Sequence, residues 1–320
     1  MGKIHILIGT GKDKGLYRMI LQTLKGTVEG PWRFYDAYQA KAASFYRNEL
    51  AIVCEDQGQA GVTWLDIHQP IPYRLDTKMS ESVPACSIIH NQMFICTANE
   101  KEDCVVVYRK VDHRLKLEQR LKMGENAQCC QVFFLDRFLY VLCKGLDLIK
   151  IYDSDLFDLV KEIPLPKGSA PVQAVVDPAR SFLYVLGGST NEVFVYTICS
   201  HHLYRCQQII SVLPNGCREV CDSTSICMSP NGKFLFVSTN GIDVITCFEV
   251  IDGILKQKEI FHCGGKEPRS LLVDGTSRWL ISLNKENLIV FQLDPQSGEA
   301  VVITDDKAME DGTALIGIDQ

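Results

Sequence analysis

Charged and amide side chains recur at one phase of this chain. Glu55, Asn99, Lys144, Asn240 and Lys285 are each the sixth residue of a short apolar run: LAIVCE, FICTAN, LYVLCK, LFVSTN and LISLNK. If those runs are equivalent strands, these side chains emerge together at one end of a sheet assembly. With Lys266 and Arg269 they would focus positive potential in an otherwise acidic chain, which suits an anionic small ligand such as a phosphosugar or a carboxylate. Arg269 could grip such an anion through paired hydrogen bonds that a lysine cannot reproduce. Glu55 could serve as a general base. The plainer alternatives are an exposed strand-end carboxylate at Glu55 and lysines that merely solvate turns.

Other chemistries find less support. The 14 cysteines contain no C-x-x-C spacing, and Cys217 and Cys221, four apart, have no histidine pair nearby to complete a zinc site. Oxygen ligands at Glu55, Asn99 and Asn240 could suit calcium, but the neighbouring lysines argue against a divalent cation. No metal and no cofactor is therefore expected. Cys129 or Cys227 as a nucleophile would need a partner to lower its pKa, and no histidine is close to either in sequence. Most thiols, among them Cys54, Cys96, Cys104, Cys143, Cys199 and Cys247, lie in or beside apolar runs and read as core filling. Their number points to a reducing, cytoplasmic setting.

The elements that must position these residues are strands. With ILIGTG from Ile6 and LYVLGG from Leu183, the runs number seven, and their starts are 44, 44, 45, 44, 52 and 45 residues apart. That period belongs to architectures that spend one small antiparallel sheet per unit, so an all-β, seven-bladed β-propeller of four-stranded blades is expected. Turn signals punctuate each unit, as in Ser229-Pro230-Asn231-Gly232, Asp177-Pro178-Ala179-Arg180 and Asp274-Gly275-Thr276-Ser277. The 52-residue interval predicts a lengthened loop near Ile209 to Asp222. The N-terminus supplies only middle and outer strands, Lys3 to Gly9 and Gly15 to Leu21. Thr313 to Ile318 would complete that blade and close the assembly, giving a single domain over 1–320. A net charge of −6 without a basic, aromatic-laced cluster disfavours nucleic-acid partners. No run of 18 apolar residues is present and the N-terminus does not read as a secretory signal, so no membrane partner is expected.

Units five and six carry a resemblance, most specifically in SPNGKFLFVS, GGKEPRS and VFQLDPQSGE, and ILIGTGKDKGLYRM resembles the opening strand pair of the same family. The sequence is similar to the lactonase-type seven-bladed propellers, which include 6-phosphogluconolactonase and the carboxymuconate lactonizing enzyme. The resemblance implies a pocket holding a histidine, two arginines and a glutamate. Arg269, after Pro268, matches one arginine. The other falls at Val172 with Gln173 beside it, the glutamate at Gly188, and the histidine near Gln128 to Cys130. Three of the four groups are replaced.

Two functions of different class follow from this pattern. One is a divergent, metal-independent hydrolase of an anionic sugar lactone, with Arg269 and Glu55 as candidate catalytic groups and Lys144, Gln173, Asn99, Asn240 and Lys285 as candidate substrate contacts. The other is an inactive propeller that binds a metabolite or a protein partner on its channel face.

Overall fold

The computed structural model describes residues 2–11, 15–199, 203–303 and 307–318. Lys12 to Lys14, within the opening strand pair, and Asp319 and Gln320, beyond the closing strand, lie outside the described residues. Seven antiparallel sheets account for nearly all of its regular structure. Blades 2 to 7 follow one another at residues 43–81, 87–122, 129–164, 171–211, 222–262 and 270–308, and each is a meander of four strands. Blade 7 carries an additional two-residue strand, Lys307–Ala308, beside its third strand. Blade 1 is completed from the other end of the chain: Gly312–Ile318 pairs beside Lys3–Thr10, followed by Leu16–Gln22 and Thr27–Tyr35. This is the closure that the sequence predicts. The fold is that of a seven-bladed β-propeller. Among the described residues the one helical element is a single 3-10 turn, Lys144–Leu146.

The strand sequences explain their places. Second strands such as Phe94–Asn99 and Phe138–Cys143 are buried at every residue. A strand covered on both faces has no polar side to alternate with, hence the unbroken apolar runs. Fourth strands such as Arg114–Lys122 are mostly exposed and correspondingly charged. The register between third and fourth strands shifts at the same place in five blades, at Trp64/Leu65, Val107/Tyr108, Ile151/Tyr152, Val195/Tyr196 and Cys247/Phe248. An extra residue there increases the local twist of the outer strand. The core lies between blade faces. Phe94, Cys96, Val105 and Val107 of blade 3 meet Leu139, Val141 and Cys143 of blade 4, and Tyr184, Leu186 and Val195 of blade 5 meet Leu235 and Val237 of blade 6.

Turns behave as their residues require. The Asp177 carboxylate accepts the amides of Ala179, Ser181 and Phe182, and Asp274 those of Thr276, Arg278 and Trp279. Arg180, Gly232 and Ser277 take the left-handed backbone that ends each turn. The long interval is partly strand: Leu203–Ser211 is the fourth strand of blade 5 and Asp222–Met228 the first of blade 6. Only residues 212–221 form the loop, shorter than the sequence suggests.

Neighbouring blades are also tied by a repeated polar bond. A side chain in the first strand of one blade accepts an amide from the first strand of the next: Ser44 from His90, Ser87 from Val132, Gln173 from Ile226, Ser225 from Leu271 and Ser270 from Leu315. Distances run from 2.9 to 3.2 Å. Contacts divide the chain into two compact units. One comprises blades 2 to 4 with Leu7–Arg18 and Pro31–Pro166, the other blades 5 to 7 with the remainder of blade 1.

Candidate functional site

In the unit built on blades 2 to 4, a pocket of about 290 Å³ opens at the strand ends of blades 2 and 3. Glu55, the penultimate residue of the second strand of blade 2, lines it together with Asn99, Glu100 and Lys101 of blade 3 and Gln39 and Lys41 of the segment entering blade 2. The Glu55 amide donates to the Tyr38 carbonyl at 2.9 Å, which fixes the strand end. Its half-buried carboxylate has no side-chain partner among the described residues. On the other side of Glu55 lies a larger cleft, about 620 Å³, lined by Tyr35, Tyr38, Asp56 and Arg74 among others. Glu55 thus lines both cavities.

Asn99 lines the same pocket but spends its polar atoms inside the protein. Its amide nitrogen donates to Glu81 at 3.0 Å and to the Val83 carbonyl at 2.8 Å, while its oxygen accepts the amides of Lys101 and Glu102. Glu81 is 4 % exposed and also accepts from Thr97 and Tyr108. Burial raises the Glu81 pKa and these three donors oppose the shift. The network holds the turn that presents Glu100 and Lys101. Lys144, at the equivalent end in blade 4, lies 3.8 Å from Glu100.

The remaining predicted residues belong to the other unit. Arg269 is half-buried, and its Nη1 donates to the Gly312 carbonyl of the closing strand at 3.0 Å. Thr224 donates to the Pro268 carbonyl just ahead of it. Lys285 pairs with Glu267 at 2.5 Å, and this ammonium holds the Glu267 carboxyl below its ordinary value. Asn240 stands opposite Asp222 in the sheet. The Gln173 oxygen is engaged by Ser225 and the Ile226 amide, so it serves the interblade bond described above. Gly188 has no room for the expected glutamate, since a Cβ there would lie 2.7 Å from Val172 Cγ1.

Cys129 and Cys227, the two thiols weighed as nucleophiles, are unsuited to that work. None of the fourteen cysteines is joined in a disulfide, and Cys129 is fully buried with its pKa raised by hydrogen bonding to Cys143 and by desolvation. Burial raises the Cys227 pKa as well. Cys86 opens onto the pocket by area, yet its sulfur is hemmed by the Ala98 and Cys129 carbonyls at 3.2 and 3.1 Å. Desolvation and the Glu100 carboxylate push it up to about 12. Cys199 departs from the core-filling expectation: it ends the third strand of blade 5, where the strand runs out of the core and leaves it exposed. Among the described residues no group of three or more His, Cys, Asp or Glu side chains is disposed to hold a metal ion. No helix there is long and apolar enough to cross a membrane.

Sequence reasoning did not select Gln39, Lys41 or Lys101. Gln39 and Lys41 precede the first strand of blade 2, where no proline marks the position as Pro171 and Pro268 do in blades 5 and 7, and Lys101 follows a second strand.

Comparison with known proteins gives a consistent picture. Residues 6–315 match the family described as lactonase, 7-bladed beta-propeller. A 6-phosphogluconolactonase of Bacillus subtilis (strain 168) is 27 % identical over 174 residues, covering 51 % of this chain and 50 % of that protein. One from Pectobacterium carotovorum is 24 % identical over 191 residues, 57 % of each chain. The chain is thus aligned with roughly half the length of these relatives. Two solved structures share the fold over 99 % of this chain: a Lactobacillus plantarum protein (TM-score 0.92, 18 % identity, 100 % of that chain) and the periplasmic gluconolactonase of Pseudomonas aeruginosa (0.89, 19 %, 99 %).

Proposed function

The chain belongs to the seven-bladed β-propeller lactonase family, and on that premise we propose that it hydrolyses an anionic sugar lactone of the 6-phosphogluconolactone class, without a metal ion. The relatives that bear the name 6-phosphogluconolactonase support the reaction class. The observation that carries the reading within this chain is the unpaired Glu55 carboxylate on a pocket that also presents Lys41 and Lys101. Glu55 takes a proton from water as the hydroxide oxygen adds to the lactone carbonyl. The cations around the pocket stabilise the oxyanion and hold the ligand's acidic group, so that positive charge comes from side chains. Collapse of the tetrahedral intermediate breaks the ring C–O bond, and the ring oxygen takes up the proton to give the open hydroxy acid. In the other unit, Arg269 keeps guanidinium donors beyond the one bound to Gly312, which suits it to an anion.

A second reading, a propeller that binds a metabolite or protein without chemistry, is favoured by the Val172 and Gly188 packing that closes the position of the family glutamate. Hydrolysis of 6-phosphogluconolactone, corrected for its spontaneous rate, separates the two. The hydrolase reading expects catalysis by the native chain and a loss of about a hundredfold or more in Glu55→Gln. A native rate equal to the spontaneous one removes the hydrolase, and an undiminished Glu55→Gln removes Glu55 from the mechanism.

A further inference from the structure

The loop of residues 212–221, between blades 5 and 6, brings two thiols together: the Cys217 and Cys221 side chains are in hydrogen-bond contact. Both are partly exposed, and neither is in a disulfide. We infer that Cys217 and Cys221 are a dithiol–disulfide couple, joined by thiol–disulfide exchange with a small-molecule disulfide of the glutathione class.

The contact is held from both ends of the loop. The Cys217 amide donates to the Pro214 carbonyl at 3.1 Å, closing a turn whose third residue, Gly216, takes the left-handed backbone at φ 77. At the other end, the Asn191 side chain donates to the Cys221 carbonyl at 2.9 Å. Gly241 packs against Cys221 so closely that a Cβ there would lie 3.2 Å from the Cys221 Cβ. The two sulfurs therefore meet in the folded chain, as a bridge between them requires. The residues between them, Arg218, Glu219 and Val220, are exposed, Val220 at 95 %, so the pair stands in a solvated loop. Cys129 and Cys143 also touch, but both are fully buried, which closes them to a reagent from solvent.

The exchange balances within the loop and its reagent. One thiol gives up its proton and attacks a sulfur of the small disulfide, whose S–S bond breaks to release one thiolate. The second thiol then loses its proton and attacks the mixed disulfide, releasing the other half of the reagent as a second thiolate. The two released thiolates take up the two protons, so the loop is oxidised and the reagent reduced. Desolvation, the Cys217 thiol and the Asp222 and Glu219 carboxylates raise the Cys221 pKa. No stabilised thiolate at Cys221 favours the reduced loop, so the bridge once formed is not poised to reopen.

The test incubates the full native chain with oxidised glutathione at about pH 8, then blocks free thiols and digests with trypsin. Cleavage after Arg218 leaves the two cysteines on separate peptides, so the bridge is read by mass as a linked pair. The linked pair should form, and the oxidised chain should melt at or above the reduced one. In Cys217→Ser the pair should vanish, and the glutathione adduct at Cys221 should rise about tenfold or more, because no second thiol resolves it. No linked pair, a linked pair that forms only in denaturant, an equal adduct at Cys221 in both proteins, or a lowered melting point on oxidation would each overturn the inference. The couple belongs to the unit of blades 5 to 7 and the Glu55 pocket to the other, and no catalysis is read. The inference therefore stands or falls apart from the hydrolase.

Discussion

Val172 Cγ1 lies 2.7 Å from the point where a Cβ on Gly188 would stand. Two of the three positions at which this chain departs from the pocket that its family resemblance implies are therefore one packing event, with the valine methyl filling the space that a side chain at 188 would need. Gly188 is pinned in place, since its amide donates to the Ala170 carbonyl and its carbonyl accepts the Ser223 amide. Gly188→Ala should destabilise by about 1–3 kcal/mol through overpacking. Adding Val172→Ala should restore part of the loss, a coupling readable in a double-mutant cycle by urea unfolding. Strictly additive effects would show that the clash is relieved elsewhere.

Ser225 serves two blades at once, donating to Gln173 and accepting the Leu271 amide. Ser225→Ala leaves that amide and the Gln173 oxygen each short of a partner. A loss of about 1–3 kcal/mol is expected from chemical denaturation. A neutral substitution would mean that the interblade bonds add nothing to stability.

Deletion of 313–320 removes nearly all of the strand that completes blade 1 and the Leu315 amide bonded to Ser270. It exposes the edge of Lys3–Thr10 and uncovers one face of blade 7. The truncated chain should be insoluble or melt far below the native one, whereas an unchanged thermogram would refute closure by this strand. A single unfolding transition of the intact chain would agree with one domain over 1–320.

His90 gives the fold a dependence on acid. It is 3 % exposed, and burial, reinforced by the Lys110 ammonium, pushes its imidazole down to about 3. The unfolded chain binds the proton near pH 6.5 and the folded one does not, so its contribution to stability is present above pH 6.5 and is lost as pH falls toward 3. The slope approaches about 1.4 kcal/mol per pH unit. Glu81 acts in the opposite sense, because burial raises its pKa and the folded state takes up its proton first. The unfolding free energy should fall further between pH 7 and pH 5 in the native chain than in His90→Gln. Equal slopes would show that His90 does not govern the acid limb.

Arg269→Lys keeps the charge but loses the planar fork that can bond Gly312 and an anion together. The variant should bind 6-phosphogluconate about tenfold more weakly with little change in melting temperature. A lowered melting point with unchanged affinity would assign the arginine to blade closure alone.

The architecture was legible in the sequence because every blade repeats the same local grammar. Runs such as LYVLC are buried on both faces wherever they occur, and the turns at Asp177 and Asp274 are closed by residues adjacent in the chain. Period, strand order and the closing segment follow from such short-range constraints. The likeness of units five and six and the retained Arg269 also identified the family, and the absence of its other pocket groups was visible as Val172 and Gly188.

The sequence could not say what those strand-end side chains do, because that is decided by partners about 15 to 50 residues away. Asn99 faces the pocket yet is consumed by Glu81 and Val83, Gln173 joins blade 5 to blade 6, and Lys285 answers Glu267. Only the packed blades show that Glu55 keeps its carboxylate unpaired and that the Gln39 oxygen is buried without a donor. A repeat specifies where a side chain emerges, but whether its polar atoms remain available depends on the neighbouring blade, where desolvation and hydrogen bonding compete.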